Sequence, residues 1–299
     1  MSNSLLNDLK QQYSQGGSTI RLIIINTIVF IAIGIVTVIG RLISVDLSSL
    51  LHTIFALQTE PYEFLTHPWG IITSIFSHFG LFHFIFNMLF LYFAGQLFEM
   101  FTTRQRVQSI YLVGGITGGI FELIAHSIFP SFTEGNSIVV GASGAIMALF
   151  IASATYSPNQ HVNLFGIVPV KIGILALIYF IYDLLSLGIS DGTAHFAHIG
   201  GAIAGYLAIK KDWFKNIIES FENILNQLNN QLFHRKFQNS NYNFKVKKGG
   251  RPLSDEEFNI QKKYNQDKID AILDKISKSG YESLTKSEKE FLFNQSKNG

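Results

Sequence analysis

The sequence predicts an all-α polytopic membrane protein: a bundle of six transmembrane helices followed by a cytoplasmic helical tail. Three observations carry that reading. Only 15% of the 299 residues are charged while 47% are hydrophobic, whereas soluble domains typically carry about 25% charged residues. The charges are sparse up to Ile209 and dense beyond it. Apolar stretches also recur at close to the length a helix needs to cross a bilayer, about 20 residues. The absence of cysteine excludes a disulfide framework and a thiolate metal site. The net charge of +2 says little about partners, and no nucleic acid is expected among them.

The chain divides into five segments. Residues 1–20 are a polar cytoplasmic lead-in, and residues 21–211 are the membrane domain. An amphipathic helix covers 212–234, a basic linker 235–252 and a small cytoplasmic helical hairpin 253–299. The first span, 22–39, is free of charge between Arg21 and Arg41. It is too long for a signal-peptide core and lacks a small-x-small cleavage site, so it is expected to be retained. From Arg41 to Trp69 the hydrophobic continuity is lost. Asp46, Glu60, Pro61, Glu63 and Pro68 predict an extended loop, with Trp69 either an interface anchor or an ordinary buried residue.

A second span covers 79–98 and a third 107–129. The third carries Gly114, Gly115, Gly118 and Gly119, a pattern suited to close helix contact. Its Glu122 and His126 are expected to hydrogen-bond to neighbouring helices, and Pro130 ends it. The loop 131–140 is polar, without Lys or Arg. A fourth span runs from Ser143 to Tyr156, a fifth over 169–187 and a sixth over 194–209. The fourth and sixth open on small polar residues, which places their starts inside the membrane-embedded protein.

Orientation follows from the basic residues of the short loops. Arg104 and Arg106 lie between spans two and three, Lys171 opens span five, and Lys210, Lys211 and Lys215 follow span six. The loops after spans three and five have none. Six spans then put both termini in the cytoplasm of a multi-pass protein, expected in the cell membrane of a bacterium.

On that topology the polar residues gather at one depth. His83 and Asn87 are four apart, hence on one helix face, toward the outer end of span two. Ser143 is at the outer end of span four, and His195 and His198 are at that of span six. Polar groups inside a membrane are costly to place and are functional candidates by default. A serine becomes a nucleophile when a neighbouring base takes its proton, and His198, the deeper of its pair, is the candidate base. Small residues on span six, Gly201 and Gly205 among them, would let it lie against Gly144, Ala148 and Ala152 of span four. Gly141 and Gly144 flank the serine, where they let the backbone turn sharply and let other helices come close. His83, Asn87 and the Ser143 amide are placed to donate hydrogen bonds to a developing oxyanion.

Trp69, the run His78-x4-His83-x3-Asn87, the segment Gly141-Ala-Ser-Gly144 and the segment Ala197-His-Ile-Gly-Gly-Ala-Ile-Ala-Gly205 together resemble the rhomboid intramembrane serine proteases. The resemblance extends over about 21–211 and includes the order of motifs and the six-span topology. It implies a rhomboid-like fold and a catalytic dyad of Ser143 and His198 with no acid. It also implies an oxyanion site of His83, Asn87 and Ser143, and a loop-organising role for His78. Hydrolysis is implied near the outer end of single-span membrane proteins that carry small or helix-destabilising residues there, without a cofactor. Two positions depart from the family pattern. Gly70 follows Trp69 where many members have arginine, and Met147 stands where some have an aromatic ring packed on the histidine.

Other readings exist for the same residues. His78, His83, His195 and His198, with Glu122, Asp183 and Asp191 behind them, could form a metal centre. That reading leaves Ser143 and Asn87 unexplained, and nothing in the sequence ties those carboxylates to the imidazoles; no metal is expected. A catalytically silent member of the same fold, binding membrane helices for quality control, is the main alternative. Transport fits less well, because the polar residues line no continuous path.

Beyond 211, Phe214, Ile217, Ile218, Phe221, Ile224, Leu225, Leu228 and Leu232 form one helical face, expected to pack on the membrane domain rather than on a partner. Arg235, Lys236, Lys245, Lys247, Lys248 and Arg251 have no acid among them. They form either a contact with anionic lipid or a solvated linker. Ser254-x-x-Glu257 and Thr285-x-x-Glu288 each have the form of a capping box, and Ile269, Ile272, Leu273 and Ile276 supply an apolar face.

Overall fold

The computed structural model describes residues 17–129, 138–164, 167–189 and 192–237, with positions 272, 275–276, 283–285, 287–289 and 291 near the C-terminus. The lead-in before residue 17, most of the polar loop 131–140, the linker beyond 237, Asp191 and the box at Ser254 and Glu257 lie outside the described residues. The chain forms two units, Met1–Asn239 and Ser240–Gly299.

The first unit is helical. Its first helix, α1 (Ser18–Leu42), is followed by two short helices, α2 (Ser48–Phe55) and α3 (Pro61–Thr66). Between these two lies a two-residue strand, β1 (Leu57–Gln58). A single turn, α4 (Gly70–Thr73), runs into a 3₁₀ turn at Ser74–Phe76. The long helices α5 (Leu81–Glu99) and α6 (Arg104–Ile128) come next. Strand β2 (Ile138–Val139) leads into α7 (Ser143–Tyr156). A hairpin of β3 (His161–Leu164) and β4 (Val168–Lys171) joins α7 to α8 (Ile172–Leu185). Helices α9 (His195–Lys210) and α10 (Asp212–Phe237) complete it.

Helices α1, α5 and α6 are long and apolar enough to cross a membrane, and α7 and α8 are shorter apolar helices. At 1.5 Å per residue, the 14 residues of α7 extend about 21 Å, less than the ~30 Å hydrocarbon core. Helix α7 is the centre of the bundle, touching α5, α6, α8 and α9, and Gly144 through Ala148, Leu149 and Phe150 are all buried. The α6 glycines serve contact as expected. A Cβ on Gly118 would sit 2.6 Å from the Ala197 carbonyl oxygen and one on Gly115 2.6 Å from Ile75, while Gly114 abuts the Ala148 side chain.

The segment between Arg41 and Trp69 differs from the extended loop that composition predicts, because it contains α2 and α3. Glu60 caps α3 by accepting from the Glu63 amide at 2.9 Å, with Pro61 in the first turn, where its missing N–H costs nothing. The segment is fastened to α4 and the 3₁₀ turn. Trp69 Nε1 donates to the Thr53 carbonyl at 3.0 Å, Thr73 Oγ1 to that of Ile54 at 2.8 Å, and Ser77 Oγ to that of Phe55 at 2.6 Å. Gly70 has a physical reason for lacking a side chain: a Cβ there would press on the Ala56 carbonyl oxygen and lie 3.1 Å from Leu57 Cα.

Two further ends differ from expectation. Val168 to Lys171 pair as β4 with β3, so Pro169 belongs to a hairpin and α8 starts at Ile172. Helix α10 runs to Phe237, which puts Arg235 and Lys236 in the helix rather than a linker. Its apolar face packs on α6 and α9, with Phe214 and Ile218 buried, and Arg106 pairs with Glu222 at 3.3 Å. In the second unit, Thr285 and Glu288 form the expected reciprocal box. Glu288 accepts from the Thr285 amide at 2.7 Å and its own amide donates to Thr285 Oγ1 at 3.3 Å. Lys275 pairs with Glu288 at 2.9 Å.

Candidate active site

The loop that delivers Ser143 is set by the backbone before it. Strand β2 pairs with β1, Leu57 opposite Val139 and Gln58 opposite Ile138. The Gly141 amide then donates to the Ser74 carbonyl at 2.9 Å, and the Ala142 amide points at His78 Nε2 at 3.5 Å. Gly141 has φ +117, a left-handed conformation that glycine adopts without steric cost. That turn starts α7 at Ser143, with the serine at the positive end of the helix dipole.

Gly141 is also where the His83 ring packs: a Cβ there would be 2.7 Å from His83 Cε1. Gly141 serves the turn and the imidazole. Gly144, Gly201 and Gly205 lie where α7 and α9 meet. A Cβ on Gly144 would be 3.0 Å from the Ala197 carbonyl oxygen. Cβ atoms on Gly201 and Gly205 would collide with the carbonyl oxygens of Gly144 and Ala148 respectively. The backbones of α7 and α9 thus touch next to Ser143 and on either side of His198.

The two residues line one cavity of about 690 Å³, together with His83, Asn87, Met147 and Tyr179. Asn87 and His198 are buried, Ser143 is half-buried and His83 is exposed. One amide proton of Asn87 is committed to the His83 carbonyl at 2.9 Å. His78 is fully buried below this group, its ring 5.1 Å from that of His83 and 5.6 Å from that of Phe84. It contacts both α5 and the serine's loop.

Helix α8 contributes an aromatic residue that sequence reasoning did not foresee. The Tyr179 ring stacks on His198 with centroids 6.3 Å apart. The aromatic partner of the histidine thus comes from α8, while Met147 lies buried in the cavity wall. Asp183, one turn beyond Tyr179, is buried, with Oδ1 2.7 Å from His195 Nδ1 and 2.8 Å from His198 Nδ1. The expectation that no carboxylate is tied to the imidazoles is overturned. The donor atoms of Asp183, His195 and His198 lie within 4.8 Å of one another, close enough to hold a metal ion. Hydrogen bonding alone also accounts for the cluster. Glu122 hydrogen-bonds across helices as expected, accepting from the Ala197 amide at 2.9 Å, whereas His126 bonds the Glu122 carbonyl within its own helix at 3.1 Å.

Comparison with known proteins agrees with this architecture. The Rhomboid domain model matches residues 65–213. A second model, a family of unknown function designated DUF6576, matches residues 254–298. RHOMBOID-like protein 12, mitochondrial, of Arabidopsis thaliana is 30% identical over 165 residues, 48% of this chain and 47% of that one. Rhomboid protease AarA of Providencia stuartii is 32% identical over 158 residues, 46% of this chain and 54% of that one. Inactive RHOMBOID-like protein 8 of Arabidopsis thaliana is 33% identical over 147 residues, 49% of this chain and 37% of that one. The chain spans about half the length, or less, of these relatives. Through residues 65–213 the chain belongs to the rhomboid family of integral membrane proteins.

Proposed function

We propose that this protein is an intramembrane serine endopeptidase in which Ser143 is the nucleophile and His198 the general base. The observation that carries the reading is the backbone contact of α7 with α9 at Gly144 and Gly201, which brings both residues to one cavity with His83 and Asn87. In the reaction, His198 Nε2 takes the Ser143 proton as Oγ attacks the scissile carbonyl carbon. The oxyanion accepts hydrogen bonds from His83, the second Asn87 amide proton and the Ser143 amide, each donor worth about a hundredfold to a thousandfold in turnover. His198 then protonates the leaving amine, and water hydrolyses the ester. The substrates are membrane proteins whose helix loosens near the site, since a peptide bond must leave its helix to reach Ser143.

The shorter apolar helices α7 and α8, together with α9, complete a six-span bundle in this reading. Both termini are cytoplasmic, on the side where Ser18 Oγ meets the Arg104 carbonyl at 2.7 Å and α10 docks. The bilayer is that of a bacterial cell, and the basic residues after α10 contact its anionic lipid.

The alternative is a catalytically silent protein that binds membrane helices, a reading supported by the relative named as inactive. A fluorophosphonate probe and a panel of tagged single-span substrates separate the two. Labelling and cleavage in the unaltered protein, both lost in Ser143→Ala and in His198→Ala with the fold intact, are expected. A folded wild type that neither labels nor cleaves would leave the silent reading standing.

A further inference from the structure

We propose that Asp183 is a positioning residue for His198, holding it in the tautomer that leaves Nε2 free to take the Ser143 proton, with His195 bound to the same carboxylate as the second arm of a fork. The inference rests on the serine-protease reading above. His195 and His198 are three residues apart on α9, so both imidazoles share one face. Both Nδ1 atoms converge on Asp183 Oδ1, at 2.7 and 2.8 Å. A carboxylate oxygen accepts and does not donate. Each Nδ1 bonded to it therefore carries the proton, and a neutral imidazole protonated there has its lone pair on Nε2.

Burial makes the arrangement firm. Asp183 is 1% exposed and its Oδ2 has no hydrogen-bond partner among the described residues, so the two imidazoles are what satisfy a carboxylate that would be costly to bury unpaired. Helix α8 holds His198 twice, since Tyr179 lies against the ring face one turn before Asp183 takes the ring edge. A dyad drawn from the motifs alone has no such group, because Asp183 and His198 are joined only by the packing of α8 on α9.

Two measurements test the proposal. Asp183→Asn is expected to lower kcat on a tagged substrate by about a hundredfold or more, the kind of loss that follows when an orienting carboxylate is replaced and the tautomer is wrong. KM is expected to stay within about twofold, which a general loss of structure would not produce. Nitrogen-15 NMR of histidine-labelled protein in the Ser143→Ala background reads the tautomer without turnover and needs no change at Asp183. It should show His198 protonated at Nδ1. His198 protonated at Nε2, or an unchanged kcat in both Asp183→Asn and Asp183→Ala, would overturn the proposal. An unaltered protein that never labels with probe while His198 is Nδ1-protonated would instead remove the protease reading, and the positioning role with it.

Discussion

Gly201→Ala adds a single methyl group at the tightest point of the bundle. The new Cβ would collide with the Gly144 carbonyl oxygen and lie 2.8 Å from its carbonyl carbon, where ordinary contact begins at 3.4 Å. Both obstacles are backbone, so no side-chain rotation relieves them. The helices must part by about 0.6 Å, on the figures for the carbonyl carbon, and the oxygen demands more. Overpacking of this kind typically costs about 1–3 kcal/mol. The kinetic effect is larger, because a displacement of about 1 Å at a reacting pair can cost a hundredfold. Gly201 is three residues from His198 on the same face of α9, and Gly144 is next to Ser143, so the displacement falls on the reacting pair. The expected result is a fluorophosphonate labelling rate lowered at least about tenfold, in a protein whose thermal unfolding in detergent shifts by only a few degrees. Unchanged labelling in a folded Gly201→Ala protein would refute the claim that backbone contact sets the distance between nucleophile and base.

Two other outcomes follow from different parts of the chain. Gly141→Ala must hold φ +117 with a Cβ against the His83 ring. It is expected to lose about 1–2 kcal/mol of stability and to slow labelling as the oxyanion donor is displaced; calorimetry and probe kinetics check the two effects separately. In the second unit, the Thr285 amide, with the Lys275 ammonium and the Thr285 hydroxyl, holds the Glu288 carboxyl down at about 2, below its ordinary 4.5. A depressed carboxyl contributes stability above its unfolded value and loses it as pH falls through the folded one. The contribution is therefore complete above about pH 4.5 and gone below about pH 2. Carboxyl carbon-13 shifts give the midpoint directly, and an ordinary midpoint for Glu288 would contradict the capping geometry.

Much of the membrane domain is legible in the sequence because the signal is local. Long apolar stretches mark α1, α5 and α6 within a few residues, and the small-residue spacing on α6, α7 and α9 announces backbone contact. The site is legible only as far as its motifs reach. Asp183 and Tyr179 lie on an apolar helix with no pattern of their own, and their meaning comes from α9 crossing in front of them. The helix α3 escaped for a different reason. Glu60-Pro61-x-Glu63 has the cap and the first-turn proline of a helix start, but the helix is only one and a half turns long, too short for periodicity to register. From sequence, Pro169 opens an apolar run and so reads as helix; pairing with β3 claims it instead.

The supports under the serine's loop are almost all main chain: two ladder positions on β1 and the Gly141 amide on the Ser74 carbonyl. A side-chain substitution cannot delete a bond between two peptide groups. Apart from Gly141, the loop before Ser143 is held by contacts that a side-chain change does not remove, while Met147, Phe86, Phe90 and Phe150 line the cavity. In the protease reading, changes at those side chains alter which peptide is accepted without disturbing how the serine is presented. Chemistry and selectivity are free to drift at different speeds.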